Sequence, residues 1–310
     1  MRRREFITFL GGATVAWPLI ARAQSDQVRR IGVLVGLAED DPQTKARLGG
    51  FRQGLERRGW SEGRNVRIDY RFAASPDRYQ PLAKELIALQ PDVILAHSTP
   101  VATALQRESR EIPIVFVSVS DPIGSGLIAN LARPGGNLTG VLFYEESITG
   151  KWLAMLKEIA PQLTRVALIA NPKTTAYDYF LRLAKAIAPS LAIELVPNPV
   201  ETAADIERAI VDFARVPNGG LVLPPDNTTT LNRDLIMALA ARHRLPTVYS
   251  GSYLVEAGGL MSYGVDQVEN FRLAGSYVDR ILRGDKPADL PVQAPTKYEN
   301  GCQRKNRERA

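Results

Sequence analysis

The residues with the most chemical reach in this sequence are hydroxyls, carboxamides and tyrosines gathered in short polar runs that follow apolar ones. Ser98-Thr99-Pro100 is the best defined of these runs. Proline suits the first position of a helix and threonine the cap before it, so Thr99 is expected as N-cap and Pro100 as the first helical residue. Free backbone N–H groups at a helix start favour an anion, and the hydroxyls of Ser98 and Thr99 extend that donor set toward a carboxylate. A cap without any ligand accounts for Thr99 and Pro100 equally well, and Ser98 is the residue it leaves over. Asp226-Asn227 offers two readings: Asp226 accepts from a ligand ammonium, or it caps the helix expected around 230–242. Asp121, after Ser118-Val119-Ser120, either meets a ligand beside Ser120 or caps the turn into Pro122. Asn171, before Pro172, carries the same ambiguity. Tyr249, Tyr253 and Tyr263 supply flat walls with hydroxyl handles, or ordinary packing. His97 is a donor to a bound carboxylate or a satisfied core histidine.

Other chemistries find little footing. The sequence has no Gly-x-Ser-x-Gly elbow, no Gly-x-x-x-x-Gly-Lys phosphate loop and no Gly-x-Gly-x-x-Gly opening a helix, and Gly124-Ser125-Gly126 reads as a turn fragment. One cysteine, Cys302, rules out an intramolecular disulfide, and with two histidines it leaves almost nothing for a zinc or copper site. No cofactor or metal is expected, and catalysis is the weakest reading.

The elements that position these runs follow from hydrophobic pattern. Ile31 to Leu37, Val66 to Phe72, Val93 to Ala96 and Ile114 to Val119 are near-continuous apolar runs, which suits parallel strands buried on both faces. Helical patterns lie between them at 43–58, 77–89 and 100–109, an alternation that predicts an open parallel sheet with helices on both faces. The second half repeats the first. Arg30 to Val35 is echoed by Arg165 to Ala170, Val93 to Leu105 by Leu221 to Leu235, Glu111 to Phe116 by Arg244 to Tyr249, and Gly135 to Val141 by Gly258 to Val265. Four pairs in the same order predict two similar α/β lobes, each a doubly wound parallel sheet. The expected boundaries are 24–143 plus about 267–289 for lobe 1 and 144–266 plus about 290–299 for lobe 2, with crossings near 143–149, 264–266 and 289–295. Several crossings make a hinge, and ligands of open parallel sheets bind outside the carboxyl ends of the strands. That rule selects the loops at 37–41, 97–100, 118–122, 171–175, 224–228 and 249–253, which contain most of the residues above.

Charge and termini sharpen this. The 310 residues carry a formal charge of +6. Residues 1–23 contribute +3, from four arginines against Glu5, and residues 301–310 another +3, so the body between them sums to zero and nucleic acid is not an expected partner. Arg2-Arg3-Arg4, the apolar run Phe6 to Ile20 and Ala21-Arg22-Ala23 have the order of an export signal, with a twin-arginine pattern in Arg3-Arg4-Glu5-Phe6-Ile7 and a cleavage site after Ala23. The run is short for a membrane span.

The segment from Asp121 to Val141, DPIGSGLIANLARPGGNLTGV, is more specific than these patterns. Together with Ile112 to Val117, Arg283-Gly284-Asp285-Lys286-Pro287 and Leu290 to Lys297, it resembles a family of ABC-transporter substrate-binding proteins related to tryptophan- and tyrosine-type solute receptors. The resemblance spans nearly all of residues 28–299. It implies a type I periplasmic-binding fold and capture of a small solute, a carboxylate or amino acid, between closing lobes. It also implies a periplasmic monomer that delivers to an ABC permease and its ATPase, with a signalling partner as the alternative. The chain departs from the family after Glu299, where residues 300–310 show no hydrophobic period and read as an atypical, disordered tail.

Overall fold

The computed structural model describes residues 28–145 and 147–302; the expected export signal at 1–23 and residues 303–310 of the tail lie outside them. The first lobe is a five-stranded sheet of β1 (Arg29–Val35), β2 (Val66–Phe72), β3 (Val93–His97), β4 (Ile114–Val119) and β5 (Leu138–Leu142), ordered β2-β1-β3-β4-β5 with every pair parallel. Its helices are α1 (Pro42–Glu56), α2 (Tyr79–Ala88) and α3 (Thr99–Glu108). The second lobe begins with α4 (Ile148–Ile159) and continues through β6 (Arg165–Ala170), α5 (Tyr177–Ile187), β7 (Glu194–Pro199), α6 (Ala203–Phe213), β8 (Gly219–Leu223), α7 (Asn227–Leu231), α8 (Arg233–Arg242), β9 (Thr247–Tyr249), α9 (Ser252–Glu256) and β10 (Met261–Val265). Then α10 (Gln267–Leu282) returns to the first lobe, and β11 (Tyr298–Cys302) closes the second sheet, ordered β11-β10-β9-β8-β6-β7.

Renumbered from its own first strand, the second sheet has the order of the first with one antiparallel strand added. The four sequence echoes fall on equivalent pairs: β1 with β6, β3 with β8, β4 with β9 and β5 with β10. The central strands β3, β4 and β8 are buried at every residue, as strands covered by helices on both faces must be. Each lobe accordingly has two apolar clusters, those of the first around Phe51 and Phe116 and those of the second around Trp152 and Ile210.

Two helices change sides. Helix α4 follows a first-lobe strand yet buries Trp152, Leu153 and Leu156 in the second lobe, with the Trp152 indole N–H donating to the Tyr263 carbonyl at 2.7 Å. Helix α10 follows a second-lobe strand and packs along α1, where Gly50, Gly54 and Gly275 permit close approach: a Cβ on Gly54 would lie 2.3 Å from the Arg272 carbonyl oxygen.

Two boundaries differ from the sequence expectation. Residues 290–293 lie on lobe 1, not lobe 2. The Thr139 hydroxyl donates to the Leu290 carbonyl, the Gln293 N–H to Gly140 and the Leu142 N–H to Gln293, because the free edge of β5 presents backbone groups that need partners. Residues 300–302 are not tail. Asn300, Gly301 and Cys302 pair antiparallel with Tyr263, Ser262 and Met261, since a backbone ladder on an edge strand does not require apolar side chains. No helix among the described residues is long and apolar enough to cross a membrane.

Candidate functional site

The carboxyl ends of the two sheets face each other across a narrow, partly open cavity. The first lobe supplies His97, Ser98 and Thr99 after β3, Ser118 and Ser120 around the end of β4, Phe143 after β5 and Arg47 from α1. The second supplies Thr174 and Thr175 after β6, Asp226 and Asn227 after β8, Thr230, Ser250 after β9 and Tyr253 from α9, while Gln267 enters at the crossing into α10. The lining is polar, and Arg47 and Asp226 are the groups in it that carry charge.

Ser98, not Thr99, is the N-cap of α3, and it holds φ 83° and ψ 157°, a region close to glycine's own that costs of order 1–3 kcal/mol for other residues. The Ser98 N–H is tied to the Val117 carbonyl at 3.0 Å, while its buried hydroxyl has no partner among the described residues. Ser118 also has positive φ, 60°, at a register shift in the β4–β5 pairing. Its hydroxyl donates to Gln267 Oε1 at 2.7 Å, which fixes the amide and leaves Gln267 Nε2 as a buried donor without a partner among the described residues.

Arg47 lies on the buried stripe of α1 with Thr44, Leu48, Phe51 and Leu55 and is 6% exposed. Its Nη1 lies 3.3 Å from His97 Nε2, its Nε has no partner among the described residues, and its guanidinium carbon sits 5.9 Å from the centre of the Tyr253 ring. A guanidinium can only donate, so His97 Nε2 accepts and the imidazole is neutral with its proton on Nδ1. Burial, and then the Arg47 charge, hold the His97 pKa well below the usual histidine range.

Asp226 lines the cavity but works as a cap. Its carboxylate accepts from the N–H groups of Thr228 (3.3 Å), Thr229 (2.9 Å) and Asn171 (3.2 Å) and from the Thr174 hydroxyl. Burial raises its pKa against the opposing pull of those donors. Asn227 donates across the cleft to the Tyr79 hydroxyl at 3.4 Å. Gly36 allows that approach, since a Cβ there would lie 2.5 Å from Asn227 Nδ2.

Of the residues singled out in the sequence, Ser98, Thr99, Ser120, Asp226, Asn227 and Tyr253 come together here. Four others stand elsewhere. Asp121 caps its turn through Gly124 N–H at 2.8 Å and reaches Arg182 of the other lobe at 3.7 Å. Asn171 stands behind the lining, bracing Thr228 through a 2.9 Å hydrogen bond. Tyr249 is buried in the second-lobe core, where desolvation raises its pKa. Tyr263 stacks on Tyr298 at 5.7 Å with the Lys151 ammonium above it, since alternation along β10 turns it to the face covered by α4. Sequence reasoning about loops passed over Arg47, Phe143, Thr230 and Gln267. A signal for Arg47 was present, a charged residue at a core position of a helical period. No three or more His, Cys, Asp or Glu side chains among the described residues gather as a metal site.

The model of the family described as ABC transporter substrate binding proteins matches residues 30–300. A tyrosine-binding protein of Clostridioides difficile (strain R20291) is 27% identical over 272 residues, covering 87% of this chain and 77% of that protein. Among solved structures, an ABC domain in complex with L-Trp from Streptococcus pneumoniae superposes with a TM-score of 0.84 at 23% identity, covering 90% of this chain and 94% of the other. A conserved domain protein from Vibrio cholerae gives 0.83 at 27% identity, covering 90% and 93%. The ligand-free, open form of a substrate binding protein with adhesive properties from Clostridium difficile gives 0.66 at 25% identity, also covering 90% and 93%. The fold is that of the type I periplasmic-binding proteins.

Proposed function

Because the chain belongs to the family of ABC transporter substrate binding proteins, a family that binds solutes and is not enzymatic, we propose that it is the exported receptor of an ABC uptake system for a small carboxylate or amino-acid-like solute. The solute enters the interlobe cavity, the lobes close over it, and the loaded monomer docks on a permease with its ATPase at the inner membrane. Export through a twin-arginine signal, cut after Ala23, puts the receptor in the periplasm.

The observation that carries this reading is the polar cavity, four of whose lining residues have a buried atom without a partner among the described residues: Arg47 Nε, His97 Nδ1, Ser98 Oγ and Gln267 Nε2. Unmade hydrogen bonds of this kind cost about 1–3 kcal/mol each, and a bound solute removes that cost. Candidate ligand contacts are Ser98, Thr99, Ser120, Asn227 and Tyr253, with Asp226 and Asn171 shaping the second-lobe wall. The relatives' ligands, tyrosine and L-Trp, support an aromatic body for the solute.

The test is a thermal-shift screen over amino acids and aromatic or aliphatic carboxylates. A ligand at 100 times its Kd adds about 2.7 kcal/mol, a rise of several degrees for lobes of this size. Ser98→Ala should reduce the shift. Absence of a shift for every carboxylate and amino acid would refute the solute class. N-terminal sequencing of protein from the periplasm checks the export reading, which fails if the chain there still begins at Met1.

A further inference from the structure

Two features of the cavity bear on the charge of what it holds, given the receptor reading above. Arg47 is 6% exposed, and among the described residues no carboxylate lies within ion-pair distance of it. Its contacts are a neutral imidazole and the face of Tyr253, which leave Nε unpaired. A buried cation without a counter-ion costs several kcal/mol, and a guanidinium with an unpaired Nε keeps a donor of the fork that matches a carboxylate. The second feature is Asp226. A carboxylate has about four lone-pair sites. Those of Asp226 are taken by three backbone N–H groups and the Thr174 hydroxyl. It has no acceptor position left for a ligand ammonium.

We infer that Arg47 receives the solute's carboxylate, and that the cleft therefore favours small carboxylic acids without an ammonium group over the zwitterionic amino acids of the same shape. A monoanion brings the Arg47 site to neutrality. A zwitterion also supplies the carboxylate but buries an ammonium that Asp226 cannot accept. His97 is the positioning residue: by accepting from Nη1 it restrains the guanidinium, which lines the cavity, and leaves Nε for the solute. Ser98 Oγ and Gln267 Nε2 are left to bond the hydroxyl or oxo oxygen at the α-carbon.

The experiment is calorimetric titration of the purified protein with matched pairs: L-tyrosine with 4-hydroxyphenyllactate, L-tryptophan with indole-3-lactate, and L-leucine with 2-hydroxyisocaproate. For at least one pair the hydroxy acid should bind about 10- to 100-fold tighter than the amino acid, the span of one charge-assisted hydrogen bond. Arg47→Met should weaken that hydroxy acid by about 100-fold or more, and Arg47→Lys, which keeps the charge but loses the fork, by about tenfold. The wild-type ratio within a pair reads the preference even if the methionine variant does not fold. Amino acids binding as tightly as their hydroxy acids would overturn the inference while leaving the receptor reading intact, as would an Arg47→Met variant with native circular dichroism and unchanged affinity. Binding of neither member of any pair would remove the carboxylate reading and this inference together.

Discussion

Arg233 is the residue through which closure can be weakened without substituting a residue of the cavity lining or of either core. Its Nη1 donates across the cleft to Asp41 Oδ2 at 3.0 Å and within its own lobe to the Thr230 carbonyl at 3.0 Å. The two side chains are 24% and 6% exposed, so the pair is partly shielded from solvent. Asp41 also caps α1 through Oδ1, which accepts from Gln43 and Thr44, so substituting Asp41 would damage a helix as well. Arg233→Met keeps most of the stem and removes only the charge and its donors. A fully exposed pair would contribute about 0–1 kcal/mol and a charge-assisted hydrogen bond about 1.5–3, so this half-shielded pair is assigned about 1.5 kcal/mol. The contact joins the lobes only when they are together, and its loss acts on the open–closed equilibrium by about tenfold. Where the closed state holds the solute, the apparent Kd rises by up to that factor. Titration with the solute identified by thermal shift measures this directly, and small-angle scattering of the ligand-free protein should show a larger radius of gyration for the variant. Raising the salt from low to high should weaken binding by the wild type more than by the variant. Unchanged affinity together with unchanged scattering in Arg233→Met would refute the role given to this pair.

Three further outcomes follow from the packing and the titrating groups. Gly54→Ala places a Cβ 2.3 Å from the Arg272 carbonyl, a backbone atom that cannot swing aside, and should cost about 1–3 kcal/mol, seen as a melting temperature several degrees lower; an unchanged melting temperature would mean that α1 and α10 are free to separate. Burial and the Arg47 charge depress the His97 pKa in the folded state, so its contribution to stability is complete above the unfolded value near 6.5 and is lost as pH falls from there toward the folded value. Urea unfolding from pH 7.5 to 5 should therefore show a loss of up to about 1.4 kcal/mol per pH unit below 6.5 that His97→Gln lacks, and equal slopes in the two proteins would show that His97 does not titrate this way. Ending the chain after Lys297 removes β11, uncovers the ladder edge of β10 and deprives Tyr263 of its partner Tyr298, so the shortened protein should melt lower and self-associate on size exclusion, and a stable monomer would count against the structural part given to residues 298–302.

Much of the architecture was legible in the order of residues. Strands buried on both faces must be apolar throughout, and two rounds of such runs with matched turns predict two similar sheets; the echo of Val93 to Leu105 in Leu221 to Leu235 falls on β3 and β8. The polar runs after those strands were legible for the same reason, because loops at the carboxyl ends of parallel strands face the ligand side. Ser98 and Tyr253 were reached in that way. Asp226 was reached too, but its two readings separated only when the distances to Thr174, Thr229 and Asn171 were known.

What the chain determined by itself was the periodicity, and through it the fold, the repeat and the set of loops that line a cleft. Tertiary structure decided which side chains within those loops turn inward and which elements from outside them join the site. Alternation along β10 sends Tyr263 to α4, and the exchange of α4 and α10 between lobes brings Gln267 beside Ser118. Neither event leaves a mark in local spacing, because each depends on contacts between segments distant in the chain. Arg47 is the clearest instance. It lies on the buried stripe of α1, and its charge acquired meaning only when folding placed it beside His97 and Tyr253 with no carboxylate partner among the described residues.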